Sequence, residues 1–192
     1  MYKKVDNWNI EAKLCLRKHF LEKYHRDSGR VFDACQGDGV LWSLLRSEYP
    51  HLEYWGVDFK RKPGRIKVDS SRILQIPQLP YDIVDVDTYG SPWKHWKALI
   101  PNISKPTTVF LTIGFVKIMG GTLPEEAKAS LGLNRLSCKI PNGIVYFLNR
   151  LAVKYLLAEV IQYDIIIVEA WEAVSQGNAR YIGLRLEPKL CE

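Results

Sequence analysis

The stretch Val31-Phe32-Asp33-Ala34-Cys35-Gln36-Gly37-Asp38-Gly39-Val40 decides how the rest of the chain is arranged. An apolar run enters it, Asp33 closes that run, and two glycines one residue apart open an amphipathic segment. Glycine reaches positive φ and lets a ligand approach backbone that a Cβ would shield. A strand feeding a glycine turn and then a helix also offers unpaired backbone N–H groups to an anionic group. The stretch reads as a cofactor-binding turn; the plainer alternative is a tight strand-to-helix turn with no ligand.

Upstream, residues Asn7 to Tyr24 form a helix pattern, with Ile10, Leu14, Cys15, Leu21 and Tyr24 on one face. Lys13, Arg17, Lys18 and Lys23 fall mostly off it. The first strand runs from about Arg30 to Ala34. A helix from Asp38 to Tyr49 follows, with Val40, Leu41, Leu44 and Leu45 as its apolar stripe and Pro50 past its end. Further strands are expected at Glu53 to Val57, Arg65 to Val68, Tyr81 to Val86 and Thr107 to Ile113, with a helix at Trp93 to Ile100. A short helix near Glu125 to Leu131 lies within an irregular insertion, 114–141, longer than most connections in compact domains. Asn142 to Val160 is a long helix with Val145, Leu148, Leu151, Ala152, Tyr155 and Leu156 toward the core. Two apolar strands, Tyr163 to Trp171 and Ala179 to Leu186, close the chain around the hairpin turn Ser175-Gln176-Gly177-Asn178.

Alternation of strands and helices implies an α/β fold, a mostly parallel sheet with helices on both faces and an antiparallel last strand. With 192 residues the expectation is a single domain over 1–192, its N-terminal helix within 1–28. The composition, 47% hydrophobic and 25% charged, is that of a globular protein. The run Ile165-Ile166-Ile167-Val168 is too short to span a membrane, and the charged N-terminus does not read as a signal peptide. A cytoplasmic location is expected by default. Cys15, Cys35, Cys138 and Cys191 are scattered without metal-binding spacing, so free thiols and no metal site are expected. The net charge of +6 is compatible with a polyanionic partner.

In open sheets of this kind ligands sit beyond the carboxyl ends of the strands. Asp33, Asp58, Asp69 and Asp87 each fall at such an end. A dinucleotide turn would place a third small residue where Trp42 stands, and no Gly-Lys-Ser or Gly-Lys-Thr follows the loop. Nicotinamide, flavin and P-loop nucleotides are therefore disfavoured.

What remains is Asp-x-x-x-Gly-x-Gly after the first strand, with Asp58 nineteen positions beyond Gly39. With these features the chain resembles the class I S-adenosylmethionine-dependent methyltransferases over nearly its whole length. The resemblance implies a Rossmann-like sheet of seven strands and S-adenosyl-L-methionine as cofactor. It implies a glycine loop (Asp33, Ala34, Cys35, Gly37 and Gly39) against the methionine part, and Asp58 with Phe59 at the ribose. It also implies Asp69 with Ser70 at the adenine, and Asp87 beside the methyl group. Asp58 as a turn cap and Asp69 as a cap for Ser70-Ser71-Arg72 are the competing structural readings.

The acceptor is addressed by Asp85-Val86-Asp87-Thr88-Tyr89-Gly90-Ser91-Pro92. It resembles the Asp-Ile-Asp-Pro-Phe/Tyr-Gly-Ser-Pro motif of the tRNA guanine-N2 dimethyltransferases, departing at Thr88. The resemblance implies N-methylation of an exocyclic base amine, in RNA more than DNA. Asp87 and the Thr88 carbonyl would accept the amine's N–H groups, Tyr89 would stack on the base, and Asp85 would be catalytic or structural. Tyr89, Gly90, Trp93 and Lys117 are the expected substrate contacts, and His95 is a candidate acceptor for the released proton. Lys13, Arg17, Lys18, Lys23 and Arg26, with Lys60, Arg61, Lys62, Arg65 and Lys67, read as a phosphate track or a solvated face. A methyltransferase for small molecules or protein side chains, and a non-catalytic cofactor-binding subunit with Thr88 as the lesion, are the alternatives.

Overall fold

The computed structural model describes residues 9–60, 65–88, 92–114, 128, 145–174 and 179–189. The elements are α1 (Ile10–Tyr24), β1 (Gly29–Asp33), α2 (Val40–Glu48), β2 (Leu52–Asp58), β3 (Ile66–Lys67), α3 (Ser70–Ile73) and β4 (Ile83–Val86). They continue with α4 (Trp93–Leu99), β5 (Thr107–Ile113), α5 (Val145–Val160), β6 (Ile165–Val174) and β7 (Arg180–Pro188). The strands form one seven-stranded sheet in the order β3-β2-β1-β4-β5-β7-β6. The first five are parallel, and β7 runs antiparallel to both β5 and β6. Strand order reverses beside β1, so the crevice between the ends of β1 and β4 is where a ligand is expected.

Two cores sandwich the sheet. On one face Phe32, Val84, Val86, Val109 and Leu184 pack under Trp93, Trp96 and Leu99 of α4 and Leu156 of α5. On the other, Val31, Ile83 and Phe110 pack under Leu16, Phe20 and Leu21 of α1 and Leu41, Trp42 and Leu45 of α2. Phe20 sits directly over Gly183 of β7, where a Cβ would meet its ring at 2.5 Å. Gly183 thus sets how closely α1 approaches.

The sequence reading of α1 and α2 needs correction. The buried residues of α1 are Lys13, Leu16, Arg17, Phe20 and Leu21, while Cys15 is exposed. Two cations face the sheet because carboxylates await them there. In α2 the buried set is Leu41, Trp42 and Leu45, and Val40 and Leu44 are 41% and 42% exposed. The Trp42 indole has a buried acceptor, which turns the helix onto that side. Tyr155 of α5 is likewise exposed, whereas Ala152 and Leu156 are buried. The third strand shrinks to Ile66–Lys67 and the fourth starts at Ile83. Tyr163 belongs to a 3-10 turn before β6. The expected hairpin turn, the helix near Glu125, Cys138 and Cys191 lie outside the described residues. Among the described residues no helix is long and apolar enough to cross a membrane.

Candidate active site

Asp33 and Asp85 are register partners on β1 and β4, so both carboxyl groups project from one face of the sheet. Asp85 lies inside the sheet with 1% of its surface exposed. A bare charge there would be strongly disfavoured. Arg17 resolves this with a two-pronged pair, Nε to Oδ2 and Nη2 to Oδ1, both 2.7 Å. The Trp42 Nε1–H adds a third donor to Oδ2 at 2.7 Å. Guanidinium and carboxylate match in shape, so this is the strong form of ion pair. The Arg17 guanidinium also lies over the Phe110 ring, 4.9 Å from its centre. Burial works against its charge, but Asp85 holds its pKa above the ordinary value.

Asp87 follows the end of β4, and the Lys13 ammonium donates to its Oδ2 at 2.6 Å. Burial opposes ionisation of Asp87, yet Lys13 and Arg17 hold its carboxyl below the usual range. No cation among the described residues bonds Asp33. Burial first, and the neighbouring Asp85 second, push its pKa up to about 8. The Tyr54 hydroxyl donates to Asp33 Oδ2 at 2.8 Å, and the Cys35 N–H to Oδ1 at 3.2 Å. Among the described residues, two cations, Lys13 and Arg17, face these three acids. Tyr54 reaches Asp33 across Gly56, the strand position opposite Asp33; a Cβ on Gly56 would collide with the Tyr54 hydroxyl.

The glycine turn has the conformation its sequence requires. Gly37 and Gly39 have φ of 52° and 68°, and a Cβ on Gly37 would meet nothing nearer than the Cys35 carbonyl at 3.8 Å. This is open, left-handed backbone at the sheet's carboxyl rim. The Gly37 N–H donates to Asp58 Oδ2 at 2.9 Å, and the Lys60 N–H to Oδ1 at 2.7 Å. Asp58 thus ties the glycine turn to the end of β2 while its remaining lone pairs stay available. Beside the turn, Gln36 Oε1 and Arg65 Nη1 are buried without a hydrogen-bond partner. Phe59, next to Asp58, is 70% exposed. An open glycine cradle, a carboxylate, unsatisfied polar atoms and a bare aromatic ring fit a nucleoside bearing an amino-acid tail.

Other expected site residues have structural partners. Asp69 caps α3 through the Ser71 N–H and hydroxyl and pairs with Lys94 at 2.8 Å, which with these bonds holds its pKa at about 2. The cap is therefore the observed role. Ser70 is engaged with His95 Nε2 at 2.8 Å, and burial lowers the His95 pKa. Trp93 is 3% exposed and belongs to the core, because its indole faces the sheet. Ala34 continues β1, its N–H bonded to the Asp85 carbonyl at 2.8 Å. Burial and the surrounding carboxylates raise the Cys35 pKa, so its thiol stays protonated. The Thr88 hydroxyl lies 3.4 Å from the Thr112 carbonyl, a long tie from the loop to β5. Tyr89, Gly90 and Lys117 lie outside the described residues, as do Arg61 and Lys62.

The supposed phosphate track is divided by these contacts. Lys13 and Arg17 face inward, and Lys18 and Lys23 pair with Glu48 and Glu169. Sequence reasoning missed Lys13, Arg17, Trp42 and Tyr54 as site residues. The available signal was a cation pair at helical spacing, interleaved with Leu16 and Phe20, in a chain with an acid inside an apolar strand.

No protein-family model matches the sequence, and no curated protein matches it. Solved structures do share the fold. Trm1 from Pyrococcus horikoshii, in complex with S-adenosyl-L-methionine, matches with a TM-score of 0.65 at 15% identity, covering 98% of this chain. This chain spans only 59% of that protein. The plantazolicin methyltransferase BpumL, with a pentazolic desmethylPZN analog and SAH, matches at TM-score 0.53 and 11% identity, covering 94% of this chain and 86% of that one. The 1,6-didemethyltoxoflavin-N1-methyltransferase of Burkholderia thailandensis, with S-adenosylhomocysteine, matches at 0.52 and 12%, covering 96% and 82%. The fold is the Rossmann-like fold of these methyltransferases.

Proposed function

We propose that the protein is an S-adenosylmethionine-dependent methyltransferase acting on an exocyclic amine of a nucleobase, in RNA rather than DNA. The observation that carries this reading is the position of Asp87: a carboxylate bonded to Lys13 at the end of β4, across the switch point from an open glycine turn tied to Asp58. Several solved proteins of this fold hold the cofactor or its demethylated product. The Asp85-Val86-Asp87 sequence leading to Gly90-Ser91-Pro92 supports an amine acceptor.

Gly37, Gly39, Ala34 and Cys35 would line the cofactor's methionine part, Asp58 its ribose and Phe59 its base. When bound, the cofactor supplies an electrophilic methyl group on a cationic sulfur. Asp87 accepts an N–H of the acceptor amine and turns the nitrogen lone pair toward that methyl. The nitrogen would gain the methyl as the methyl–sulfur bond breaks, leaving a neutral thioether, and would give up one proton, which Asp87 is placed to accept. Positioning of this kind supplies much of the rate in a displacement between two bound partners. Asp85 is held by Arg17 and Asp69 caps α3; Asp33, with Asp69 and Ser70 at the adenine, would add to the cofactor's seat.

A small-molecule acceptor is the second reading. It is supported by the presence of the plantazolicin and 1,6-didemethyltoxoflavin methyltransferases among the solved proteins of this fold.

The test is labelled methyl transfer from S-adenosylmethionine to total tRNA, ribosomal RNA, DNA and a panel of small heteroaromatic amines, with Asp87→Ala as control. Label in RNA that vanishes with Asp87→Ala, and binding that weakens steeply with salt, support the nucleic-acid reading. Label only in small molecules removes it. Cofactor binding without any acceptor points to a non-catalytic partner subunit.

A further inference from the structure

Lys13 is an unusual residue to find under the rim of a sheet. A lysine ammonium is strongly hydrated and normally keeps its head in water. Here the residue is 6% exposed, with Nζ 2.6 Å from Asp87 Oδ2 and 5.2 Å from the centre of the Tyr181 ring. Its support is rigid. Arg17, one turn along α1, donates from Nη1 to the Lys13 carbonyl at 3.2 Å while its other nitrogens grip Asp85. The helix is therefore pinned at Asp85, and the pin delivers Lys13 to Asp87.

The groups facing Asp87 are Lys13 and Arg17 from α1, Asp33 from β1, Thr112 from β5, Cys35 from the glycine turn and, on its own strand, Asp85; Tyr181 of β7 lies behind Lys13. Without Lys13 the buried Asp87 carboxyl would keep, among the described residues, only Arg17 as a facing cation, and Arg17 is already committed to Asp85. Both burial and like charge favour its protonated form. A protonated carboxyl has an O–H to donate and less capacity to accept. The nitrogen of an aromatic amine needs the opposite, an acceptor for its N–H.

We propose that Lys13 is a positioning residue for methyl transfer: its ammonium keeps Asp87 ionised and oriented as the hydrogen-bond acceptor for the incoming amine. The inference rests on the amine-methylating reading above. Lys13 touches no reacting atom; it acts through Asp87.

The test compares wild type, Lys13→Met and Lys13→Arg. Titration of the Asp87 carboxyl is followed by carbon NMR in the cofactor-free protein, with the resonance assigned by Asp87→Asn. The midpoint should rise by about one pH unit or more in Lys13→Met and return toward wild type in Lys13→Arg. In the methyl-transfer assay Lys13→Met should lower kcat by roughly tenfold or more at neutral pH. Its acid limb should move upward, and the KM for S-adenosylmethionine should stay within about twofold. An unmoved Asp87 midpoint overturns the proposal, and so does a moved midpoint with an unchanged kcat and acid limb. If wild type methylates nothing, the amine-methylating reading is what fails, and the titration alone then decides whether Lys13 holds Asp87 ionised. Should Lys13→Met not fold, Lys13→Gln carries the same expectations.

Discussion

Replacing Arg17 by methionine keeps most of the side chain's bulk and removes its charge. Asp85 then loses two bonds of 2.7 Å and keeps the Trp42 indole as its remaining donor. Both partners are 1% exposed, so water cannot fill the gap. Breaking one side of such a pair costs about 3–5 kcal/mol, because it leaves a buried charge without its counterion. At roughly 2–4 °C per kcal/mol for a chain of this size, the melting temperature should fall by about 6–20 °C. Two controls make the reasoning specific. Arg17→Met combined with Asp85→Asn removes both charges and should recover more than half of that loss, since a neutral pair carries little of the desolvation penalty. Asp85→Asn alone, measured beside it, closes the double-mutant cycle for the pair. Thermal melts of wild type, Arg17→Met, Asp85→Asn and the double mutant suffice. An Arg17→Met protein that melts within about 2 °C of wild type refutes the argument, given the size of the expected loss. So does a double mutant no better than the single.

Gly56→Ala places a methyl group against the Tyr54 hydroxyl and Gln36, and should cost about 1–3 kcal/mol by overpacking. In a Tyr54→Phe background, measured by the same melts, the cost should shrink. His25, buried and bonded to the Thr108 hydroxyl at 2.8 Å, has its pKa lowered to about 4 by burial and by Arg185. The unfolded chain then binds more protons than the native one between about pH 6.5 and 4. The His25 contribution is complete above that window and is lost as pH falls through it; melts of His25→Gln should show a flatter acid limb. Lys94→Met should raise the Asp69 pKa from about 2 toward the ordinary range, because its hydrogen bond to Lys94 is the largest cause of the depression. Proton-detected titration of Asp69 checks this.

Strands buried on both faces were easy to read. Residues Thr107–Ile113 form β5 as expected, because a short run of β-branched and apolar residues between turns favours a strand. The glycine turn was legible too, since two glycines at one-residue spacing after a strand mark positive φ. The inward face of α1 was not. Hydrophobic periodicity counts Lys13 and Arg17 as polar, yet their partners lie 74 and 68 residues away on β4 and the loop after it. Asp85 carried half of that information, because an acid inside an apolar strand demands a donor; nothing local says which cation answers. Trp42 was read only as too large for a dinucleotide turn, and it is a buried donor to Asp85, an acceptor that nothing local names. Asp69 was legible only as two options, and the neighbouring Ser71 and Lys94 decide for the cap.

The central claim is that the glycine turn and Asp58 form the seat of a sulfonium nucleoside. Isothermal calorimetry with S-adenosylhomocysteine tests it most directly, on wild type and on Asp58→Ala. Wild type should give saturable one-site heat and competition by S-adenosylmethionine, and Asp58→Ala an affinity at least about tenfold weaker, as expected for losing charge-assisted bonds to a diol. No heat at saturating ligand, or equal affinity in the two proteins, contradicts it.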